Sequence, residues 1–160
     1  MISNKLKAYN KSIRASNVYD VAEVTPITKA NSLSKDLRNN IFLKREDLQP
    51  VFSFKVRGAY NKISKIKKNG TSRPVIAASA GNHAQGVAYS AKKLGLKSVI
   101  VMPITTPLIK INAVKNFGGK VVLYGDNFDE AFEHAISLAN KQNYSFIHPY
   151  DDRDVISGQG

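Results

Sequence analysis

Cysteine is absent from the 160 residues, which excludes disulfides, thiolate nucleophiles and every zinc site built on Cys ligands while leaving the compartment open. Long apolar runs are missing too. Stretches such as Val99-Ile100-Val101-Met102 fall far short of the roughly 20 residues that cross a bilayer, so no membrane span is expected. The histidines, His83, His134 and His148, have no metal-ligand spacing, and no metal site is expected. Neither G-x-G-x-x-G nor G-x-x-x-x-G-K-[ST] occurs, so nucleotide-binding fingerprints are absent. There is no tandem repeat, heptad or low-complexity tract.

What is present can bury a core. With 42% apolar and 22% charged residues, a collagenous or wholly disordered chain is excluded and a soluble globular body is expected. The length suits one domain or a piece of a larger one. Lys5, Lys7, Lys11 and Arg14 make the start basic, but no signal-type apolar run follows, which disfavours secretion. With a single Arg and with Ile2, Leu6, Tyr9 and Ile13 at helical spacing, the start reads as a packed helix rather than a transit peptide.

The net charge is +12 and is unevenly spread. From Leu48 to Gly125 there are thirteen Lys and Arg and no acid, whereas Asp126 to Gly160 holds two basic and seven acidic residues. Three readings of the basic middle stay open: nucleic-acid binding, a solvated face such as Lys62, Lys65, Lys67 and Lys68 on one helix, or a small phosphorylated or carboxylate ligand.

A strand and helix alternation runs from about Lys55 to Ile147. Val56, Ala59, Tyr60, Ile63 and Ile66 predict an amphipathic helix stopped by Gly70. Val75 to Ala78 follows as a strand, and Asn82 with Gln85 reads as a capping box opening a second helix lined by Ala84, Val87, Ala88, Ala91 and Leu94 and ended by Gly95. The unit recurs as a strand over 99–102, a helix with Pro107 at its first position closed by Gly118, and a strand over 121–124. Asn127 and Glu130 predict another capping box, with Phe128, Ala131, Phe132, Ala135 and Ala139 as the buried stripe before Phe146-Ile147. Uniformly apolar strands separated by helices predict an α/β fold, a parallel sheet with helices on both faces. Residues 1–50 do not follow the alternation, and Ile41-Phe42-Leu43 is their one evident strand. The chain stops at Ser157-Gly158-Gln159-Gly160, in mid-pattern, and reads as cut short.

Such sheets bind ligands beyond the carboxyl ends of their strands, where helix N-termini offer free N–H groups. Ser79-Ala80-Gly81-Asn82-His83 occupies such a place. Its amides suit a carboxylate or phosphate, and Asn82 suits a ring oxygen; an ordinary strand-to-helix connection reads equally well. His83 taken alone reads first as structural, and His134 and His148 receive no function. Lys55 stands where a helix starts, a position that lowers an amine's pKa, and with Phe54 shielding it has the traits of a Schiff-base nucleophile. Considered singly, it reads more often as a surface lysine. Lys44-Arg45-Glu46-Asp47 reads as an exposed charge cluster, and Gly118-Gly119 as helix termination.

Together these residues are far more specific. Thr25-Pro26-Ile27, Lys44-Arg45-Glu46-Asp47-Leu48-Gln49-Pro50, Ser53-Phe54-Lys55-Val56-Arg57-Gly58-Ala59-Tyr60 and 78–88, followed by Val101-Met102-Pro103, Phe117-Gly118-Gly119 and Gly158-Gln159-Gly160, resemble the threonine dehydratase family in order and spacing over roughly residues 18–160. The Lys-Arg-Glu-Asp segment with Gln-Pro-Val looks like the biosynthetic branch, which feeds isoleucine and so branched-chain amino acid synthesis. The resemblance implies a fold type II pyridoxal 5'-phosphate lyase that converts L-threonine to 2-oxobutanoate and ammonia, with L-serine as a second substrate giving pyruvate. By the match, Lys55 carries the internal aldimine and removes the α-proton, Phe54 flanks the cofactor, Asn82 bonds its phenolic oxygen, and Ser79, Ala80, Gly81, Asn82 and His83 receive the substrate carboxylate. It also implies a cytoplasmic homo-oligomer without nucleic-acid or membrane partners, organellar targeting staying open.

The resemblance has departures. Phe52 stands where the family commonly has His, and Ala80 replaces the serine of racemases, which disfavours racemisation. The family's tetraglycine phosphate loop, the group facing the pyridine nitrogen and the regulatory domain fall beyond Gly160. Residues 1–54 are expected to belong to a larger domain, 55–150 to form the small α/β domain, and 151–160 to begin the return. The 160 residues alone are therefore expected to bind the cofactor poorly and catalyse little. A basic nucleic-acid or anion-binding module and an inactive fragment are the competing readings.

Overall fold

A computed structural model describes residues 4–160. Ile2, the first residue of the N-terminal apolar stripe, lies outside the described residues. The expected helix is present as α1, Asn4–Arg14, with Tyr9 and Ile13 half-buried, but Leu6 of the expected stripe is 59% exposed.

Four parallel strands form the main sheet: β3 (Val75–Ala78), β4 (Ser98–Met102), β5 (Lys120–Leu123) and β6 (Ser145–Phe146), in the order β5-β4-β3-β6. Consecutive apolar residues predicted a sheet covered twice, and the central strands β3 and β4 divide their side chains between two cores. Val75, Ala77, Ile100 and Met102 join Ala59, Ile63, Val87 and Val114 on one face, while Ile76, Ala78, Val99 and Val101 meet Ala131, Ala135 and Ala139 on the other. The first face is covered by α3 (Lys55–Lys68), α4 (Asn82–Lys93) and α5 (Leu108–Asn116), the second by α6 (Phe128–Gln142). Burying a side chain such as Ile63 or Val87 stabilises the fold by about 1.5–3 kcal/mol, so these stripes fix the layers. No helix among the described residues is long and apolar enough to cross a membrane.

Local signals fare unequally. The Asn127 cap forms: its Oδ1 accepts from the Glu130 amide at 3.0 Å, while Glu130 reaches back to the Asp126 amide at 3.0 Å. The box expected at Asn82 and Gln85 does not form. Gly81 holds the cap position without a side-chain bond, and Asn82 is already the first helical residue. Pro107 sits one position before α5 rather than within it, and Phe128 is 40% exposed rather than part of the buried stripe. The Pro107 displacement follows from the helix start lying one residue beyond its sequence signal, whereas Phe128, directly after the Asn127 cap, is exposed as the first helical residue.

Residues before α3 build a separate antiparallel pair, β1 (Ile27–Lys29) and β2 (Phe42–Lys44), linked through the short α2 (Asn31–Asp36). The first of these strands, next to Pro26, had no alternating pattern to announce it. The last helix, α7 (Arg153–Gln159), is capped by Asp152, whose Oδ1 accepts from Asp154 and Val155 amides at 2.8 and 3.1 Å. It packs against α3 through glycines: a Cβ on Gly158 would lie 2.8 Å from the Gly58 Cα.

Candidate active site

The sheet order places the topological switch between β3 and β6: from β3 the chain runs outward through β4 to β5 and then returns to β6 on the other side of β3. Lys55 opens α3, as its sequence position suggested, with α3 starting at the lysine itself. Its Nζ donates to the Pro149 carbonyl at 2.8 Å, just beyond β6. The side chain is thus half-buried at the switch point rather than in bulk water. Burial pushes its ammonium below the ordinary lysine pKa, and Nζ lies 5.5 Å from the centroid of the Phe54 ring.

Two glycines make this placement possible. A Cβ on Gly86 would meet Lys55 C and O at 3.1 Å, so α4 approaches the first turn of α3 only because the side chain is missing. At Gly81 an added Cβ meets nothing within 4 Å, so the loop opens onto free space. Ser79 Oγ accepts from the Gly81 amide at 3.1 Å and fixes the bend. The first-turn amides of α4 have no intrahelical acceptors. Ser79, Ala80 and Gly81 are half-buried and Asn82 is exposed, its side-chain amide without a partner among the described residues.

His83 is buried, 3% exposed. Its Nε2 lies 3.0 Å from the Ile147 carbonyl, and because a carbonyl only accepts, Nε2 carries the proton and Nδ1 is a bare acceptor. Nδ1 is buried without a partner, as is Ser53 Oγ two residues before Lys55. Burial first, then the charges of Lys55 and His148, press the His83 pKa down to about 4 against the pull of the Ile147 carbonyl. The ring is neutral at pH 7. His148 Nδ1 accepts from the Asp151 amide at 2.8 Å, and His134 stacks on Tyr124 with centroids 3.8 Å apart. Among the described residues no group of three or more His, Cys, Asp or Glu could hold a metal.

The charge run over 44–47 corrects one expectation. Arg45 and Asp47 do pair with each other on the surface at 2.7 Å. Glu46, however, points inward to accept from Arg57 Nε at 2.8 Å, Arg57 Nη2 at 3.0 Å and Thr25 Oγ1 at 2.7 Å. Arg57, foremost among these, holds the Glu46 carboxyl down at about 2. This clamp ties β1, β2 and the turn after them to the first turn of α3, where Lys55 sits. The sequence carried a signal for it, Arg57 two positions after Lys55, but no pattern for the inward turn of Glu46. The Ile147 and Pro149 carbonyls, which position His83 and Lys55, were not readable at all because backbone groups have no residue signature.

The residues present fit a bound cofactor: an amine of lowered basicity, two buried orphan polar atoms and an open glycine loop at a helix N-terminus converge at one switch point. Residues 18–160 match the family described as pyridoxal-phosphate dependent enzyme, and the chain belongs to that family. Among curated relatives, it is 56% identical over 158 residues to a threonine dehydratase of Nicotiana attenuata, covering 99% of this chain and 26% of the relative. It is 57% identical over 152 residues to a biosynthetic L-threonine dehydratase of Pasteurella multocida, covering 95% of this chain and 30% of the relative. The structure of the processed form of threonine deaminase isoform 2 from Solanum lycopersicum superposes with a TM-score of 0.91 at 51% identity, over 99% of this chain and 44% of that one. The chain thus spans under a third of the length of these two curated relatives. The expected α/β fold of this enzyme class and the resemblance to threonine dehydratases both hold.

Proposed function

We propose that this chain supplies the lysine-bearing half of the active site of an enzyme that deaminates L-threonine to 2-oxobutanoate and ammonia, a step toward isoleucine and the other branched-chain amino acids. The observation that carries this reading is the Lys55 amine held by the Pro149 carbonyl at the switch point, beside the Ser79–His83 loop. Pyridoxal 5'-phosphate, when bound, supplies an aldehyde for an amine and a ring that draws electrons away from the substrate α-carbon.

The chain's own residues do the rest. Lys55 Nζ holds the cofactor and takes the α-proton, a role its lowered basicity favours. Phe54 flanks the ring, and the free amide of Asn82 donates to the ring oxygen. The amides of Ser79, Ala80, Gly81, Asn82 and His83, at the positive end of α4, hold the substrate carboxylate. The β-hydroxyl leaves as water, and hydrolysis of the released enamine gives 2-oxobutanoate and ammonia; L-serine follows the same course to pyruvate. Ala80 has no hydroxyl to return a proton from the opposite side of the ring, which favours a lyase over a racemase. The same fold serves both outcomes, since a maize serine racemase superposes with a TM-score of 0.86 at 29% identity.

Residues 1–54 belong by this reading to a larger domain, 55–150 to the small domain, with 151–160 leading back. The separate β1-β2 pair supports that division. The whole enzyme is a homo-oligomer, and the 160 residues alone bind cofactor weakly and turn over little. Cytoplasm is the proposed compartment, although some relatives are named chloroplastic and mitochondrial. The nucleic-acid reading loses ground because Lys62 and Lys65 pair with Asp152 and Asp154 at 2.7 Å, which neutralises much of that face. The test is 2-oxobutanoate formation from L-threonine by the full polypeptide containing this chain. Loss of turnover in Lys55→Ala with cooperative unfolding retained supports the reading, and unchanged turnover overturns it.

A further inference from the structure

At the end of the sheet away from Lys55, a cavity of about 590 Å³ opens between the starts of β4 and β5 and the end of α4. Lys92, Lys97 and Lys120 line it together with Leu96, Val99 and Tyr144. The ladder brings two of these lysines to the same end of the sheet, diagonally across adjacent strands: Lys120 pairs with Val99, two residues after Lys97. Lys92 arrives from the last turn of α4. Its stem crosses Gly118, where an added Cβ would lie 3.3 Å from Lys92 Cδ. Gly118, at φ +85°, therefore both turns the chain and leaves the room through which Lys92 reaches the cavity.

None of these three ammonium groups has a hydrogen-bond or ion-pair partner among the described residues. Some other lysines are engaged, Lys62 and Lys65 with carboxylates and Lys67 with the Leu94 carbonyl, and others such as Lys110 and Lys115 are as free as these three, so it is the shared cavity that sets Lys92, Lys97 and Lys120 apart. No acid lines the cavity, and none occurs between Leu48 and Gly125. Like charges around a concave wall raise the local potential and are stabilised by an anion, and lysine serves phosphates and carboxylates as a point charge. The Leu96 and Val99 side chains and the Tyr144 ring give the same cavity an apolar wall.

We propose that this cavity is a binding site for a small organic dianion, a phosphate monoester or a dicarboxylate on a compact apolar body. The site is separate from the one around Lys55, because β3 spans four residues, or about 13 Å of strand, between the two ends. Occupancy of one leaves the other open, and the proposal does not depend on the reaction assigned above.

The test is an amide-resolved NMR titration of the chain with phenyl phosphate and with phthalate, phenol serving as the uncharged probe. Saturable shifts centred on Lys97, Val99, Gly118 and Lys120, absent with phenol, are expected. Saturation by phenyl phosphate alone assigns a phosphate ligand, and by phthalate alone a dicarboxylate. The double variant Lys97→Gln, Lys120→Gln should weaken binding at least about tenfold, whereas Lys7→Gln, Lys11→Gln on α1 should not change it. Both lysines of the double variant are exposed, so its melting temperature should match the parent. Shifts confined to Ser79–His83, shifts scattered over surface lysines, absence of saturation, or unchanged affinity in the double variant would each overturn the proposal.

Discussion

Lys55 Nζ donates to the Pro149 carbonyl across 2.8 Å, joining residues 94 positions apart. The bond sets the amine just beyond the carboxyl end of β6, the neighbour of β3, and brings it within electrostatic reach of His83. Its acceptor is a backbone oxygen, so no side-chain substitution at 149 removes it. The bond is disturbed by replacing Lys55 or by moving α3.

Gly86→Ala does that. Its methyl group would press on Lys55 C and O at 3.1 Å and on Val56 N at 3.3 Å, all backbone atoms without rotamers to relieve the contact. The expected outcome is a destabilisation of about 1–3 kcal/mol in denaturant unfolding, offset in part by the better helix propensity of Ala. In the full enzyme the fall in kcat should exceed what the lost folded fraction explains, because Lys55 shifts with α3.

Glu46 makes a second prediction, with a sign fixed by its pKa. The folded carboxyl titrates at about 2 against 4.5 when free, so the clamp on Arg57 contributes stability above pH 4.5 that is lost as pH falls toward 2. Allowing for solvent screening of a partly exposed pair, the loss is about 1–2 kcal/mol. Urea midpoints measured from pH 5 to pH 2 should fall for the parent chain and change less for Glu46→Gln, which starts lower.

His83 acts in a higher window. Its folded pKa of about 4 lies below the ordinary 6.5, so between those values the unfolded chain binds a proton that the folded chain refuses, and stability drops as pH falls from 6.5 to 4. His83→Asn should flatten that part of the curve. A parent curve already flat between pH 6.5 and 4 would show that the ring is not neutral and buried as described.

The Asn127 cap supplies a simple check on α6. Asn127→Ala removes the acceptor of the Glu130 amide and should cost about 0.5–2 kcal/mol by denaturant midpoint. Because α6 covers the sheet face opposite α3, the substitution should leave kcat of the folded full enzyme unchanged.

These contrasts show what the chain discloses before folding. Strands β3 to β5 were legible because continuous apolar runs such as Val75 to Ala78 serve two cores at once, and α6 because its cap and stripe agree. Asn82 misled: the same residue type that caps a helix also faces a ligand, and here Gly81 takes the cap while the Asn82 amide stays free. Glu46 misled for a different reason. Its neighbours Arg45 and Asp47 pair outward, and a local charge run holds no record of which member meets a distant arginine. Strand β1 was missed because three residues with exposed Ile27 bury too little to leave a pattern.

The most direct measurement on the central claim is reductive trapping. The chain, supplied with the remaining polypeptide in trans, is incubated with pyridoxal 5'-phosphate, reduced with borohydride, digested, and the modified lysine located by mass spectrometry. Label confined to Lys55 is the predicted result; label spread over exposed lysines such as Lys93, Lys110 and Lys141, with Lys55 unmodified, would contradict it.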